Sequence, residues 1–471
     1  MAKVDSIPLS CETIIPDPAA PLESVVSRWS NSEVRRPAIV VIPDNEEDII
    51  GAIRYAKEHG LTVIPAGGGH GSFLPIDSKT LYLDLKKFGS VKLDKQAGLV
   101  SIGGGAVTRE VIRVCCAEGY YTTWPNSNAV GMVGCMLGGG NDTLTGVHGL
   151  MIDNVVSFRL ITAEGKLVEV SESSTGDERA LFNTLCGAGH GLGVVTSMTM
   201  KMFRMADLNM DDDKIWARRL IFPPTAIYAA AEAFLKLLPP RPNVMAVMAY
   251  MRSPPGTPAP GSPMIMLTAS CIGPSADGET ASALLFDATV TGKAIKAETV
   301  QIPFVNANAA FEVLNVHGDY KDIASCFVKK LEADSIVAGF EKWVQFTDTH
   351  GDTKRTMTVL GGWNTDKLVE LGQTAEGQAK FSDIRDRGIS MLTSTCYTNA
   401  ETKEAMAEYQ REMLALHRRD DPSVPRTFAN NMLPWTPHAH LYSDEKIAEM
   451  KRVKKVWDGN GLFWSPYGEK A

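Results

Sequence analysis

Residues 65–72 read Pro-Ala-Gly-Gly-Gly-His-Gly-Ser, one histidine, His70, set among Gly67, Gly68, Gly69 and Gly71. Glycine lets the backbone approach a bulky group closely and adopt positive φ at little cost. Consecutive free N–H groups form an anion-binding nest, and a histidine at its centre touches whatever the nest holds. Local composition leaves two readings open, a ligand cradle and a tight structural loop.

The flanking sequence places this loop. Pro37–Pro43 is a short β-branched run that predicts a strand. Asp44 offers a helix N-cap with Glu47 as its capping-box partner, Ile49, Ile50, Ile53 and Ala56 form a helical stripe, and Gly60 is the stop. Leu61–Ile64 predicts a second strand. The loop therefore follows the carboxyl end of a strand in a β-α-β unit, where α/β folds place ligands.

Two further glycine-rich stretches follow: residues 131–149, beginning Gly-Met-Val-Gly-Cys-Met-Leu-Gly-Gly-Gly, and Gly187–Gly193. Strands are expected at 81–85, 99–103, 244–251 and 264–271, a hairpin turned at Glu164-Gly165, and helices at 107–118 and 177–185. Helical patterns cover about 319–344 and 400–419, and a basic helix spans 444–456. None of the glycine stretches has the Gly-x-Gly-x-x-Gly spacing of a dinucleotide fold or the Gly-Lys-Ser/Thr of a P-loop. Dispersed cradles suit a long ligand with several phosphate and ring segments.

The whole chain bounds the answer. Its 471 residues exceed one simple core and suggest two or three domains. With 44% hydrophobic and 22% charged residues it is an ordinary globular composition. A formal charge of -8 argues against nucleic acid or an anionic membrane as partner. No apolar stretch reaches the roughly 18 residues of a spanning helix, and residues 1–10 show no secretory signal, so an intracellular, cytoplasmic enzyme is expected. The eight cysteines lack paired CxxC spacing, which points to free thiols and no metal site.

The ordered set of motifs is similar to one family. Gly67-Gly-Gly-His70, Val130-Gly-Met-Val-Gly-Cys-Met-Leu-Gly-Gly-Gly140, His148–Asn154, Thr162–Gly165 and Gly193–Thr196 resemble the FAD-linked oxidases of the vanillyl-alcohol oxidase superfamily. The match is to the berberine-bridge-enzyme-like branch common in fungi and plants. It runs over about residues 20–205 and returns at the carboxyl terminus.

The resemblance implies an α+β, two-domain PCMH-type fold. Residues 1–205 would bind FAD, 206–425 would form a substrate domain of antiparallel sheet flanked by helices, and 426–471 would return to the FAD-binding part. It implies a covalent bond from the flavin 8-methyl carbon to His70, with Ala66, Gly67, Gly68, Gly69, Gly71 and Ser72 beside it. Val130, Gly131, Gly134, Gly138, Gly139, Leu144, Gly191 and Val195 would line the cofactor, and Asn430 or Asn431 would lie near the flavin. Members with two flavin bonds carry a cysteine three residues before the valine of Val-Gly. Ser127 stands there and cannot form a thioether, so a single link is expected. The family's Tyr-Gly-x-Asn element is degraded here.

One member type places a glutamate five residues before a Phe-x-His-Arg-like segment. Ala379–Arg385 resembles that segment loosely, which makes Glu376 the candidate base. Tyr397 is the second catalytic candidate; His317, Trp435 and His438 are unranked pocket candidates. The implied activity is oxidation of a small organic, natural-product-type substrate by hydride transfer to flavin N5, with O2 as reoxidant. The alternative is a non-redox cyclase or lyase of the same fold, in which the flavin would stay oxidised through turnover; a flavin-free binding protein is the remaining reading.

Overall fold

The computed structural model describes residues 10–468, so the first nine residues, on which the reading of the amino terminus partly rests, lie outside it. Eighteen strands and their connecting helices give an α+β fold.

The first strands are β1 (Glu12–Ile14), β2 (Ile39–Ile42), β3 (Thr62–Ala66) and β4 (Thr80–Asp84). They form a sheet ordered β1-β2-β4-β3, with β2 and β3 both parallel to β4. The helix Glu46–His59 connects β2 to β3, and Gly60 closes it in the left-handed conformation at φ 63°. Its cap is Asn45, one residue later than expected: the Asn45 side chain accepts from Asp48 N at 3.0 Å. Asp48 in turn accepts from Asp44 N, so the capping exchange is shifted by one residue.

The next strands are β5 (Val91–Asp94), β6 (Leu99–Gly103), β7 (Tyr120–Tyr121), β8 (Val155–Ile161), β9 (Leu167–Ser171), β10 (Val194–Lys201) and β11 (Phe203–Arg204). Five of them make an antiparallel sheet ordered β5-β6-β10-β8-β9, and β7 pairs with β11. Residues of the helices Thr108–Ala117 and Gly176–Ala188 join this sheet in one core around Phe158, Leu160, Phe182 and Met200.

The remaining strands are β12 (Lys214–Phe222), β13 (Val244–Arg252), β14 (Pro263–Cys271), β15 (Lys296–Pro303), β16 (Tyr320–Val328), β17 (Met357–Gly362) and β18 (Ile389–Tyr397). They build a seven-stranded antiparallel sheet ordered β15-β12-β14-β13-β17-β18-β16. One face packs under the helices Ile227–Lys236, Ala333–Thr349 and Lys403–Arg418, where Tyr250 meets Phe340 and Trp343 at ring distances of 5.5 and 5.4 Å. The expected helix over 319–344 is therefore two elements: β16, then a helix from Ala333. Apolar spacing in 320–328 fits either period, and pairing with β18 along nine residues decides for the strand.

The chain then returns to the amino-terminal part. Phe463 bridges to Val63 of β3 and packs in the core beneath β2 to β4. The segment Phe381–Arg385 is a second fastening. Phe381 N donates to Cys186 O at 2.9 Å, and the Arg385 guanidinium grips the Asp153 carboxylate at 2.7 and 2.8 Å, both side chains buried. All eight cysteines are free thiols, and no described helix is long and apolar enough to cross a membrane.

Candidate functional site

β3 delivers Ala66, buried, to the start of the glycine loop, and Ala66 O accepts from Leu85 N at 2.9 Å. Beyond it the backbone N–H groups of Gly68, Gly69, His70 and Gly71 donate to no protein acceptor. These residues are half-buried, and four free donors in succession fit an anionic or carbonyl-rich group. Gly69 has φ 67°, which favours glycine. A methyl on Gly68 would stand 2.5 Å from Gly131 N and 2.6 Å from Ala129 O. The first two glycine loops thus meet backbone to backbone.

The segment 28–32 lies across this loop. Trp29 N donates to Gly69 O at 3.1 Å, and Arg28 Nη2 donates to Gly71 O at 2.5 Å. The Trp29 indole stacks on the His70 imidazole, and neither ring nitrogen of His70 is hydrogen-bonded; Nε2 is buried besides. Burial first, then the neighbouring His317, Arg28 and Lys321, pull the His70 pKa down to about 3. The imidazole is neutral at any physiological pH, with nitrogen lone pairs free for a partner.

Lys321 reaches in from β16. Its ammonium donates to Trp29 O, Val316 O and Gly318 O at 2.9, 2.6 and 2.5 Å. Neither it nor Arg28, whose other bond goes to the Tyr82 hydroxyl at 3.3 Å, donates to a carboxylate. Two fixed cations therefore flank His70. Ser72 faces a buried acid on the same strand, Asp322, whose pKa is driven up to about 7 by burial, against hydrogen bonds from Ser72 and Ser32.

The second loop is closed by the segment 308–316: Ser127 Oγ donates to Asn315 Oδ1 at 2.7 Å, and Glu312 bonds Asn128 and Arg109. Val130 O accepts from Thr108 N and Oγ1, Leu144 is core, and Gly134 is exposed. Asn430 ties loops two and three: its Nδ2 donates to Cys135 O at 2.6 Å and its Oδ1 meets His190 Nε2 at 3.0 Å. A methyl on Gly138 would collide with Asn430 at 2.1 Å, and one on Gly139, at φ 113°, would touch Phe428. Asn431 instead turns to the sheet and donates to Ser325 Oγ at 3.2 Å. Gly191, at φ 88°, is pressed by Trp464 O, and Lys454 donates to Gly191 O at 2.6 Å. Val195 O lies 2.2 Å from where a Gly104 side chain would begin, so Gly104 joins the cradle.

Of the two catalytic candidates, Glu376 stands elsewhere, and the Tyr397 hydroxyl is bonded to the Ser32 side chain beside Asp322. Glu376 is exposed in the first turn of the short helix Ala375–Ala379, outside the Phe381–Arg385 fastening. That segment holds the two parts of the chain together, and Phe381 to Ile384 line a small cavity with Gly138 and Phe428. Tyr397 is buried and stacked on Tyr320 at 5.1 Å, in the cluster on the helix-covered face of the sheet, where burial drives its pKa up. His317 lies at the loop, bonded to Ser27 Oγ at 2.8 Å. Trp435 and His438 line a separate cavity of about 320 Å³ with Lys451 and Tyr467. His148 is a structural histidine, bonded to the Tyr121 hydroxyl and stacked on Phe203. Trp29, Arg28 and Lys321 carry no motif, and only the fold brings them to His70.

Comparison with known proteins bears on the identity of the ligand. The FAD binding domain family matches residues 37–171. The chain is 30% identical over 464 residues to the FAD-linked oxidoreductase srdI of Neurospora crassa, spanning 93% of this chain and 86% of that one. The fold superposes on 6-hydroxy-D-nicotine oxidase from Arthrobacter nicotinovorans with TM-score 0.81 at 18% identity, over 99% of both chains. It superposes on glucooligosaccharide oxidase from Acremonium strictum, described as holding a 6-S-cysteinyl, 8α-N1-histidyl FAD, with TM-score 0.77 at 16% identity, over 97% and 96% of the chains.

Proposed function

This chain belongs to the FAD-linked oxidoreductases, and from that premise we propose that it is an oxidase of a small organic, natural-product-type substrate, with FAD tethered by one covalent bond to His70. The carrying observation is the His70 imidazole, neutral and unengaged at both nitrogens, inside four free N–H donors. The bound flavin would supply a two-electron acceptor that O2 reoxidises.

The chain's own groups do the rest. The loop donors of Gly68 to Gly71 and the backbone around Gly131 hold the cofactor, with Asn430 fixing the second and third loops against each other. Trp29 covers the imidazole and keeps water from it. Arg28 and Lys321 place fixed positive charge beside His70, which would favour an electron-rich group held there. Ser127, bonded to Asn315, offers no thiol, so the tether is single.

Acid precipitation and intact mass test the reading. Wild-type protein should carry one FAD mass into the pellet, and His70→Ala should release all its flavin to the supernatant. Release of all flavin from the wild type refutes the tether. Bleaching of the visible band on anaerobic mixing with substrate separates oxidation from cyclisation with flavin oxidised throughout.

A further inference from the structure

The seven-stranded sheet has one face free of helices, and its composition restricts the substrate. Side chains alternate across a strand, and on β16 the contacts identify the faces. Lys321, Ser325 and Phe327 point away from the helices, to Trp29, Asn431 and Phe428 respectively. All three of those partners belong to the segments that carry the glycine cradles' closures. The same face therefore looks toward His70.

Register extends it across the sheet. Leu392 opposes Val359, Val359 opposes Ala249, and Ala249 opposes Met266. In the adjoining row Gly361 opposes Val247, and Val247 opposes Thr268. Leu392, Val359, Val247 and Met266 are half-buried, whereas Met391, Leu360, Met248 and Leu267 on the helix side are fully buried. Solvent-reachable apolar side chains between two packed parts of a chain form a floor. Gly361 and Ala249 keep its middle flat: a methyl on Gly361 would stand 3.0 Å from Ser390 Oγ. Between Ser390 and Thr268 the floor carries no carboxylate and no aromatic ring; Phe327 stands beyond Ser390, and the Arg219–Glu298 pair stands beyond Thr268. Two hydroxyls stand in the floor, those of Ser390 and Thr268, and the Thr268 hydroxyl is buried and without a hydrogen-bond partner.

We infer that the substrate is a flat, largely apolar ring system bearing a hydroxyl or carbonyl oxygen, laid on the floor of Leu392, Val359, Val247 and Met266 with that oxygen at Thr268. An oligosaccharide fits this floor poorly, because hydroxyls laid on Leu392, Val359, Val247 and Met266 would lose their hydrogen bonds to water unreplaced. Methionine lets the surface adapt to ring shape. The inference rests on the oxidase reading, since it takes this floor as the wall facing the flavin.

The test is titration of the holoenzyme with 2-naphthol and with cellobiose, followed by perturbation of the visible flavin band and, independently of flavin, by 2-naphthol fluorescence. Saturable 2-naphthol binding at concentrations at least a hundredfold below any cellobiose response is expected. Val359→Asn should weaken 2-naphthol binding tenfold or more, and Thr268→Val about tenfold, each at wild-type flavin content. Tighter cellobiose than 2-naphthol binding, no saturable 2-naphthol binding, or unchanged affinity in correctly folded Val359→Asn and Thr268→Val overturns the inference. A preparation without any flavin band refutes the oxidase reading instead, and the fluorescence titration still decides the floor.

Discussion

The His70 imidazole lies parallel to the Trp29 indole, with centroids 5.0 Å apart and planes 16° from each other. The indole shields the ring from water, and burial is the first cause of its pKa near 3. Removing the shield in Trp29→Ala should move that pKa back toward about 6.5. At pH 5.5 the exposed ring is then mostly protonated and cannot act as a nucleophile. Protein produced without riboflavin and incubated with FAD should attach flavin equally at pH 5.5 and 8 in the wild type. In Trp29→Ala attachment should fall severalfold at pH 5.5 and recover at pH 8. Equal attachment at both pH values in the variant would contradict this account.

Lys321 ties β16 to the segment over the cradle through three backbone carbonyls. Lys321→Met leaves those carbonyls short of a donor, and charge-assisted bonds contribute roughly 1.5–3 kcal/mol each, less than additively where one ammonium makes all three. A net loss of about 2–4 kcal/mol is expected in urea unfolding. Lys321→Arg should recover part of it.

The Arg385–Asp153 pair joins the two parts of the chain in a buried setting. Removing one member strands the other's charge, which costs about 3–5 kcal/mol. Arg385→Met should lower the unfolding free energy by that amount, while Glu376→Gln, on the exposed helix outside it, should change stability by no more than about 0.5 kcal/mol and turnover by less than about twofold. A tenfold loss of turnover in Glu376→Gln would restore that residue as the base.

Asp322 faces Ser72, Ser32, Glu33, Lys403 and Tyr397, and its pKa stands near 7 against an ordinary 3.8. The folded protein holds this proton where the unfolded chain has released it. Stability is therefore lost as pH rises from about 4 to 7, by at most about 4 kcal/mol. Asp322→Asn should raise Tm relative to wild type at pH 8 and show little difference at pH 4. A Tm difference that does not grow with pH would contradict the buried, neutral carboxyl.

The motif residues and the elements beside them were legible because their signals are local. Gly60 and Gly69 take positive φ, and the β-α-β unit follows from one apolar run, one stripe and one cap, misjudged only between Asp44 and Asn45. In β16 the spacing of the apolar residues fits both periods, and the partner that decides for the strand, β18, lies about seventy residues away. The sequence distance between Glu376 and Phe381 does not reveal that Phe381 fastens onto Cys186.

The sequence by itself determined the cradle, the histidine within it and the serine at position 127, since each depends on what a residue can do in its own backbone setting. Only the tertiary structure decided what surrounds them. Trp29 over His70, the cations of Arg28 and Lys321, Asn430 between two loops and the apolar floor of the sheet are contacts between residues far apart in the chain. Burial, not residue type, sets the protonation of His70 and Asp322, and burial exists only once the chain has packed.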